Sequence, residues 1–171
     1  MSQNLIVFFS MTGETYADGG VINLDKGYTH IAAEYIKEAV GGKMFRVEQT
    51  REYSTDHFTM IKEAKEELDS DEDPEIKEFI DSIDGYDVIY IGFPNWYNTM
   101  PGPLMTFLKH YDWNGKKIAP FVTSGGGSSG HAMTDLGKLC AGAEIMSELS
   151  VVGTEVEHLK NRIMDWAKEK Q

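Results

Sequence analysis

Short apolar runs alternate along the chain with segments of helical periodicity. Three runs are almost uniformly apolar and lead into loops rich in Gly, Pro, Asn or Ser: Asn4–Phe9, Asp87–Gly92 and Lys117–Thr123. Runs of this kind are typical of parallel strands that are buried on both faces of a sheet. Two weaker runs, Lys43–Glu48 and Glu144–Leu149, predict a strand nearer the sheet edge and a short last strand.

Helices are predicted between these strands. Residues Thr29–Val40 place apolar side chains at helical spacing, with Thr29 available as the N-cap and Gly41 as the terminator. A capping-box spacing at Thr154–Glu157 predicts the start of the last helix. The remaining helical patterns cover Phe58–Leu68, Pro74–Ile83, Pro103–Tyr111 and Met133–Cys140.

Alternation of strands and helices predicts an α/β fold, a three-layer α/β/α arrangement with a doubly wound parallel sheet. Right-handed crossovers place helices on both faces of such a sheet. The chain has 171 residues, of which 41% are hydrophobic. This size suits one globular domain, so we expect residues 1–171 to form a single domain.

The formal net charge is −12, from 16 basic and 28 acidic residues. This charge disfavours binding to nucleic acid or to an anionic membrane surface, and it favours a small ligand or a basic partner. The apolar runs are far shorter than the roughly 20 residues of a membrane-spanning helix. We therefore expect a soluble, cytoplasmic protein without membrane insertion.

Cysteine and histidine chemistry plays little part in the prediction. Cys140 is the single cysteine, which excludes an internal disulfide and a site of several thiolates within one chain, and it is expected to be a small apolar helix residue. Four histidines show neither metal-ligand spacing nor a neighbouring nucleophile motif: His57, His110, His131 and His158. We therefore predict no metal site and no catalytic side chain.

Ligands of doubly wound sheets bind beyond the carboxyl ends of the strands. Loop 1, residues Ser10-Met11-Thr12-Gly13-Glu14-Thr15, offers hydroxyls and backbone amides near the positive end of the first helix. It has neither the lysine of a nucleoside-triphosphate P-loop nor the Gly-x-Gly-x-x-Gly of a dinucleotide site. Such a loop suits one phosphate monoester, although a simple helix-capping turn explains it equally well.

Two further loops have unusual compositions. Loop 2, Gly92–Pro101, places Trp96 or Tyr97 where either ring can stack on a flat amphipathic ligand, while Trp96 covering the end of the sheet is the alternative. Loop 3, Thr123–Gly130, lets its backbone approach a ligand closely, while a flexible surface loop is the alternative. The candidate ligand contacts in these two loops are Pro94, Asn95, Trp96, Tyr97, Asn98, Thr123, Ser124, Gly125, Gly126 and Gly127.

The three loops together resemble those of the flavodoxin family, and most closely its bacterial branch with Phe-Pro-x-Trp in loop 2, here Phe93-Pro94-Asn95-Trp96. The similarity extends over nearly the whole chain, including Pro103–Lys109 and Asn114–Lys117. It implies a five-stranded parallel sheet in the order 2-1-3-4-5 that holds FMN. The phosphate would lie in loop 1 and the isoalloxazine ring between loops 2 and 3.

Loop 1 departs from the family pattern, in which Ser/Thr-x-Thr-Gly-x-Thr runs straight into the first helix. Here Glu14–Lys26 intervenes, and we interpret it as a passive surface loop, with a partner surface as the alternative. The favoured phosphate ligands are Ser10, Thr12, Gly13 and Thr29, with Met11 and Tyr28 beside them and Thr15 as a second candidate for the last position.

Met11 stands where related sequences often have arginine, so the phosphate charge is less directly neutralised here. His30 would compensate if it were protonated, although an exposed helix residue is the simpler interpretation.

The sequence therefore predicts an FMN-binding electron carrier. Its net charge predicts a low potential for the second electron and redox partner proteins with basic surfaces. The alternative within the same fold is an NAD(P)H-dependent, FMN-containing reductase of quinones or other small acceptors. A flavin-free phosphate sensor or receiver domain is disfavoured, because the central strand ends in Gly-Phe-Pro and not in the aspartate that a receiver needs.

Overall fold

The computed structural model describes residues 2–17, 19–71 and 73–171. Its strands are β1 (Asn4–Phe8), β2 (Gly13–Ala17), β3 (Gly20–Leu24), β4 (Lys43–Arg46), β5 (Val88–Pro94), β6 (Lys117–Ser124), β7 (Glu144–Ile145) and β8 (Leu149–Val152). Its helices are α1 (Tyr28–Val40), α2 (His57–Asp69), α3 (Gly102–Lys109), α4 (Ala132–Leu139) and α5 (Lys160–Glu169), the last preceded by a 3₁₀ helix at Gly153–Leu159.

The main sheet is parallel and has the order β4-β1-β5-β6-β7, with β8 also paired to β6. Because β5 occupies one side of β6, both β7 and β8 lie on its other side and share the fifth position. The predicted fold and the strand order 2-1-3-4-5 are thus confirmed. The single last strand predicted at Glu144–Leu149 is instead two short strands, and the second of them continues to Val152.

Apolar side chains cover both faces of the sheet. Along β1, Leu5 and Val7 join a core with α2, α3 and α4, whereas Ile6 and Phe8 join a second core with α1 and α5. Successive side chains of a strand point to opposite faces, so a strand buried on both faces must be apolar throughout. This explains the uniform runs in the sequence.

The segment Glu14–Lys26 is not the passive surface loop that the sequence suggested. Most of it forms a two-stranded antiparallel hairpin of β2 and β3, in which Thr15 pairs with Ile22. The Glu14 backbone amide donates to the Thr55 carbonyl at 3.3 Å, and the Glu14 carboxylate accepts from the His57 amide at 3.0 Å. The hairpin is therefore attached to the start of α2.

The helix predicted at Pro74–Ile83 is wrong. This segment is irregular, with a single bridge between Ile76 and Gln49, yet Ile76, Ile80 and Ile83 are buried in the core beside α3. Its backbone groups bond to distant partners: Tyr111 Oη lies 2.8 Å from the Ile80 amide and 2.7 Å from its carbonyl oxygen. Hydrogen bonds to groups distant in the sequence therefore replace the backbone hydrogen bonds that a helix would form.

Two predicted helix caps are also wrong. The N-cap of α1 is Gly27, and Thr29 lies inside the first turn, where its side chain is buried. At Thr154–Glu157 the chain forms the 3₁₀ helix, and α5 begins later, at Lys160. The other predicted helices agree with the structure to within one or two residues at each end.

Within the described ranges, the structure contains no helix that is long and apolar enough to cross a membrane.

Gly92→Ala tests the packing between β5 and the second core. A Cβ at Gly92 would collide with the ring of Phe121, which is 1% exposed and has no free space to move into. We expect the free energy of unfolding to fall by about 2 kcal/mol, the usual cost of overpacking a core. Urea denaturation of the ligand-free protein measures this change.

Gly137→Ala is the matched control. Gly137 lies on the exposed side of α4, and an added Cβ meets no described atom within 4 Å. Alanine should raise the free energy of unfolding by about 0.5–1 kcal/mol, because it favours helix over the unfolded chain. Equal effects of the two substitutions would contradict the packing described for Gly92.

Candidate functional site

A cleft of about 750 Å³ opens at the carboxyl ends of β5, β6 and β8. Its volume lies in the usual range for small-molecule sites. Loops 2 and 3 form one part of its wall, and the rest comes from the hairpin, the start of α1, one face of α2 and the chain that follows β8. The position agrees with the ligand-binding edge of doubly wound sheets.

Loop 2 contains a tight turn that presents Tyr97. Trp96 and Thr99 form two backbone hydrogen bonds with each other, and between them Tyr97 and Asn98 have φ values of +51° and +65°. Positive φ at both central residues is the geometry of a type I′ turn. The Tyr97 hydroxyl donates to the Ile61 carbonyl at 2.8 Å, so its ring is tied to α2, although 43% of the residue is exposed.

Trp96 lies at the boundary between the cleft and the core. It lines the cleft while its ring makes edge-on contacts with Phe9 and Tyr53, at centroid distances of 5.2 Å and 5.4 Å. These contacts agree with the alternative interpretation from the sequence, in which Trp96 covers the end of the sheet. Because Trp96 also lines the cleft, its stacking on a ligand stays a prediction.

Tyr53 supports Trp96 through a carboxylate. The Tyr53 hydroxyl donates a short hydrogen bond to Glu67 on α2. Burial raises the pKa of Tyr53 strongly, and the hydrogen bond to Glu67 and the charge of that residue add to the effect. Burial also raises the pKa of Glu67, although the hydrogen bond from Tyr53 opposes this. The tyrosine therefore stays protonated and its ring is fixed beside Trp96.

Loop 2 is bound to loop 3 through two polar contacts and to the start of α4 through two more. Asn95 donates from its backbone amide to the Thr123 carbonyl and from its side chain to the Ser128 carbonyl, each at 2.8 Å. The His131 amide donates to the Asn98 carbonyl at 2.8 Å, and Thr99 donates to Asp135 at 2.5 Å. These contacts hold the two walls of the cleft at a fixed separation.

The start of α1 contacts both loop 1 and loop 3. The Ser10 hydroxyl accepts from the His30 amide at 3.2 Å, and the Thr29 hydroxyl lies 2.9 Å from that of Thr123. A Cβ at Gly27 would collide with the Ser10 side chain and the Met11 carbonyl, so only glycine allows this approach. Backbone amides at the start of α1 therefore lie close to the hydroxyls of loop 1.

Two polar atoms in the cleft wall are buried without a protein partner. Across the part of the chain that the structure describes, Asn95 Oδ1 and Ser124 Oγ have no hydrogen-bond partner. An unpaired buried polar atom costs about 1–3 kcal/mol, so such atoms are uncommon in folded proteins. Both atoms belong to residues that line the main cleft, so they are candidate partners for a ligand there.

The residues predicted from the sequence lie in three places. Those that line the main cleft are Tyr28, Pro94, Asn95, Trp96, Tyr97, Thr123, Ser124 and Gly125. Ser10, Met11 and Thr12 line a smaller cleft of about 310 Å³, and Thr29 is buried against Thr123. Gly13 begins the hairpin with φ +93°, whereas Asn98, Gly126 and Gly127 are absent from the main cleft lining.

The sequence did not single out the contributions of α2 and of the chain after β8. The residues of these segments that line the cleft are His57, Met60, Ile61, Ala64, Val152, Gly153, Thr154 and Glu155. The sequence contained one signal for the residues at the end of β8. The carboxyl ends of all parallel strands meet at one edge of the sheet, so the end of the last predicted strand was also a candidate position for ligand contacts. Thr15, the second candidate for the phosphate loop, lines the main cleft from the hairpin.

The structure offers little to a metal ion. Within residues 2–17, 19–71 and 73–171 there is no group of three or more His, Cys, Asp or Glu side chains placed to hold one. Cys140 is buried at the end of α4, and burial raises the pKa of its thiol to about 12. This thiol is therefore protonated and unreactive near neutral pH.

Known structures share this architecture. A candidate flavoprotein from Bacteroides uniformis ATCC 8492 has a TM-score of 0.71 and 27% identity, covering 95% of this chain and 97% of that one. A second, from Bacteroides eggerthii DSM 20697, has a TM-score of 0.69 and 27% identity, covering 95% and 98%. A flavoprotein from Lactobacillus acidophilus NCFM, solved in complex with FMN, has a TM-score of 0.66 and 24% identity, covering 92% and 98%.

A comparison with curated protein sequences found no match. A family model described as Flavodoxin matches residues 23–169, which include most of the sheet and all five helices. The chain therefore belongs to the flavodoxin family.

Proposed function

We propose that this protein binds FMN non-covalently and transfers electrons through it. The observation that carries the proposal is the cleft between loops 2 and 3, in which the aromatic Trp96 and Tyr97 lie beside the unpaired polar atoms of Asn95 and Ser124. A flat ring with a polar edge satisfies both kinds of surface. The FMN complex of the Lactobacillus acidophilus flavoprotein supports the same ligand.

The residues present fit FMN in chemical type. Loop 1 and the start of α1 offer the hydroxyls of Ser10 and Thr12 and backbone amides for the phosphate, without an acidic residue in the first turn of α1. Trp96, Tyr97 and the backbone of Gly125 would hold the isoalloxazine ring. The fixed separation of loops 2 and 3 means that little ordering is needed when the ring binds.

Bound FMN would supply the redox chemistry, which amino-acid side chains lack. The chain itself would bind the ring, orient it and exclude water from part of its surface. The partly exposed Tyr97 leaves the mouth of the cleft open to solvent and to other molecules. No side chain is required to act as an acid or base in this role.

We also propose that the redox partners are proteins with basic surfaces. A net charge of −12 produces a negative potential over much of the surface, which attracts basic proteins and accelerates their encounter at low salt. The same charge opposes the addition of a second negative charge to the flavin. Both effects favour an electron carrier over an enzyme that binds the anionic NAD(P)H.

Titration of the ligand-free protein with FMN tests the proposal. We expect one FMN per chain, measured by calorimetry and by quenching of flavin fluorescence. Trp96→Ala should weaken binding by about tenfold, because it removes a stacked ring, and Trp96→Phe should recover part of the loss. Failure of the wild-type chain to bind FMN would exclude the proposal.

The matched control is Phe79→Ala, which removes a partly exposed aromatic ring that is absent from the main cleft lining. Its FMN affinity should equal that of the wild type. Anaerobic addition of NADH or NADPH then separates the carrier from the reductase. An electron carrier keeps its oxidised flavin absorbance, whereas rapid bleaching followed by turnover with a quinone would identify the reductase.

Ser124→Ala should have opposite effects on the stability of the ligand-free protein and on its affinity for FMN. The substitution removes a buried hydroxyl that has no partner in the described structure, so the ligand-free protein should gain stability, by about 1 kcal/mol. The same substitution should weaken FMN binding, because the hydroxyl is expected to bond to the ligand. Thermal unfolding with and without FMN measures both effects.

Ser150→Ala serves as the control for Ser124. The Ser150 hydroxyl already donates to the Gly127 carbonyl at 2.6 Å, so its loss should destabilise the ligand-free protein. If both serine variants lose stability without FMN, Ser124 has a partner in the folded chain and its proposed role is wrong.

A further inference from the structure

We infer that Arg46, at the end of β4, supplies the positive charge that holds the phosphate of FMN. The inference rests on the proposed function and adds a binding residue that lies outside the three loops. Loop 1 has Met11 where related sequences often have arginine, so its own side chains carry no cation. Any cationic side chain at the phosphate would then come from another element of the fold.

The geometry places the Arg46 guanidinium directly against loop 1. Its Nη2 donates to the Ser10 carbonyl at 3.1 Å, and parallel pairing sets Arg46 beside Phe8 in β1, two residues before Ser10. Arg46 also lines the smaller cleft together with Ser10, Met11 and Thr12. The guanidinium is thus within reach of a group that loop 1 binds.

The hydrogen-bonding capacity of this arginine is only partly used. Among the residues that the structure describes, Arg46 Nε is buried without a hydrogen-bond partner, and its nearest carboxylate, on Glu48, lies 3.8 Å away. Lys77 approaches the same Glu48 carboxylate more closely, at 3.1 Å. Glu48 is therefore shared by two cations, and its contact with Arg46 is the longer of the two, so the guanidinium keeps hydrogen-bonding capacity for a further partner.

The start of α1 adds a second feature that favours an anion near loop 1. A helix N-terminus carries a partial positive charge, and the first turn of α1 contains no acidic residue. A guanidinium beside it is repelled in the absence of a ligand. A phosphate between the two would convert this repulsion into attraction and would accept charge-assisted hydrogen bonds.

Three other cations lie near loop 1 and are poorer candidates, among them Lys77, which is engaged by Glu48 at 3.1 Å. Lys26 is engaged by Glu34 at 2.8 Å and 3.0 Å. Burial lowers the pKa of His30, and the charges of Arg46 and Lys26 lower it further, although Glu34 opposes them. His30 is therefore mostly neutral near pH 7 in the ligand-free protein, which makes it a weaker source of positive charge than Arg46.

Comparison of FMN with riboflavin, which lacks the phosphate, tests the inference. We expect Arg46→Gln to weaken FMN binding by about 10- to 100-fold, the usual value of a charge-assisted hydrogen bond, with riboflavin affinity unchanged. Arg46→Lys should recover much of the FMN affinity because it restores the charge. The dependence of FMN affinity on ionic strength should also become weaker in Arg46→Gln.

Arg51→Gln is the matched control, since it removes the same charge from an arginine that lines neither the main cleft nor the smaller cleft beside loop 1. It should bind FMN and riboflavin as the wild type does. Equal loss of both flavins in Arg46→Gln would show that Arg46 only shapes loop 1 and would overturn the inference, as would unchanged FMN affinity. If wild-type protein binds neither flavin, the proposed function itself fails.

Discussion

Thr123 joins the elements on which the candidate site depends. Its carbonyl oxygen accepts from the Asn95 amide, its hydroxyl contacts that of Thr29, and its backbone pairs with Val151 in β8. It is 3% exposed, so these bonds form away from competing water. The residue thereby fixes loop 2, the start of α1 and the fifth strand position relative to β6. The positions of the ring-binding and phosphate-binding groups follow from this arrangement.

Hydrophobic patterning was sufficient to predict the three strongest strands, because strands buried on both faces must be uniformly apolar, whereas the strand order came from the resemblance to the flavodoxin family. Patterning failed at Pro74–Ile83, where Ile76, Ile80 and Ile83 have the spacing of an amphipathic helix. These side chains are indeed buried, but the backbone bonds to Tyr111 and other distant groups. Periodicity indicates which residues are buried, but it does not indicate which groups form hydrogen bonds with the backbone between them. The hairpin was missed for the same reason, since its attachment to α2 is a long-range contact.

Loops 2 and 3 were identifiable from the sequence, because each directly follows a strong strand and the ends of parallel strands converge. The face of α2 that lines the cleft was not, since its apolar residues look like ordinary core positions. Arg46 was missed because it belongs to a weakly predicted strand and carries no motif. Its importance appears only when the pairing of β1 with β4 brings it to loop 1. To predict a residue that acts from a neighbouring strand, one therefore needs the register of strand pairing as well as the sequence.

The electrostatics of the chain differ between its surface and its cleft. The whole molecule carries a charge of −12, yet the start of α1 has Arg46 beside it and no acidic residue in its first turn. The unpaired polar atoms of Asn95 and Ser124 are unfavourable for stability as long as no ligand bonds to them. A flat ring with a polar edge would remove this penalty, and an anion beside loop 1 would accept hydrogen bonds from Arg46 and from the start of α1. These separate features at one edge of the sheet are the physical basis of the proposed FMN site.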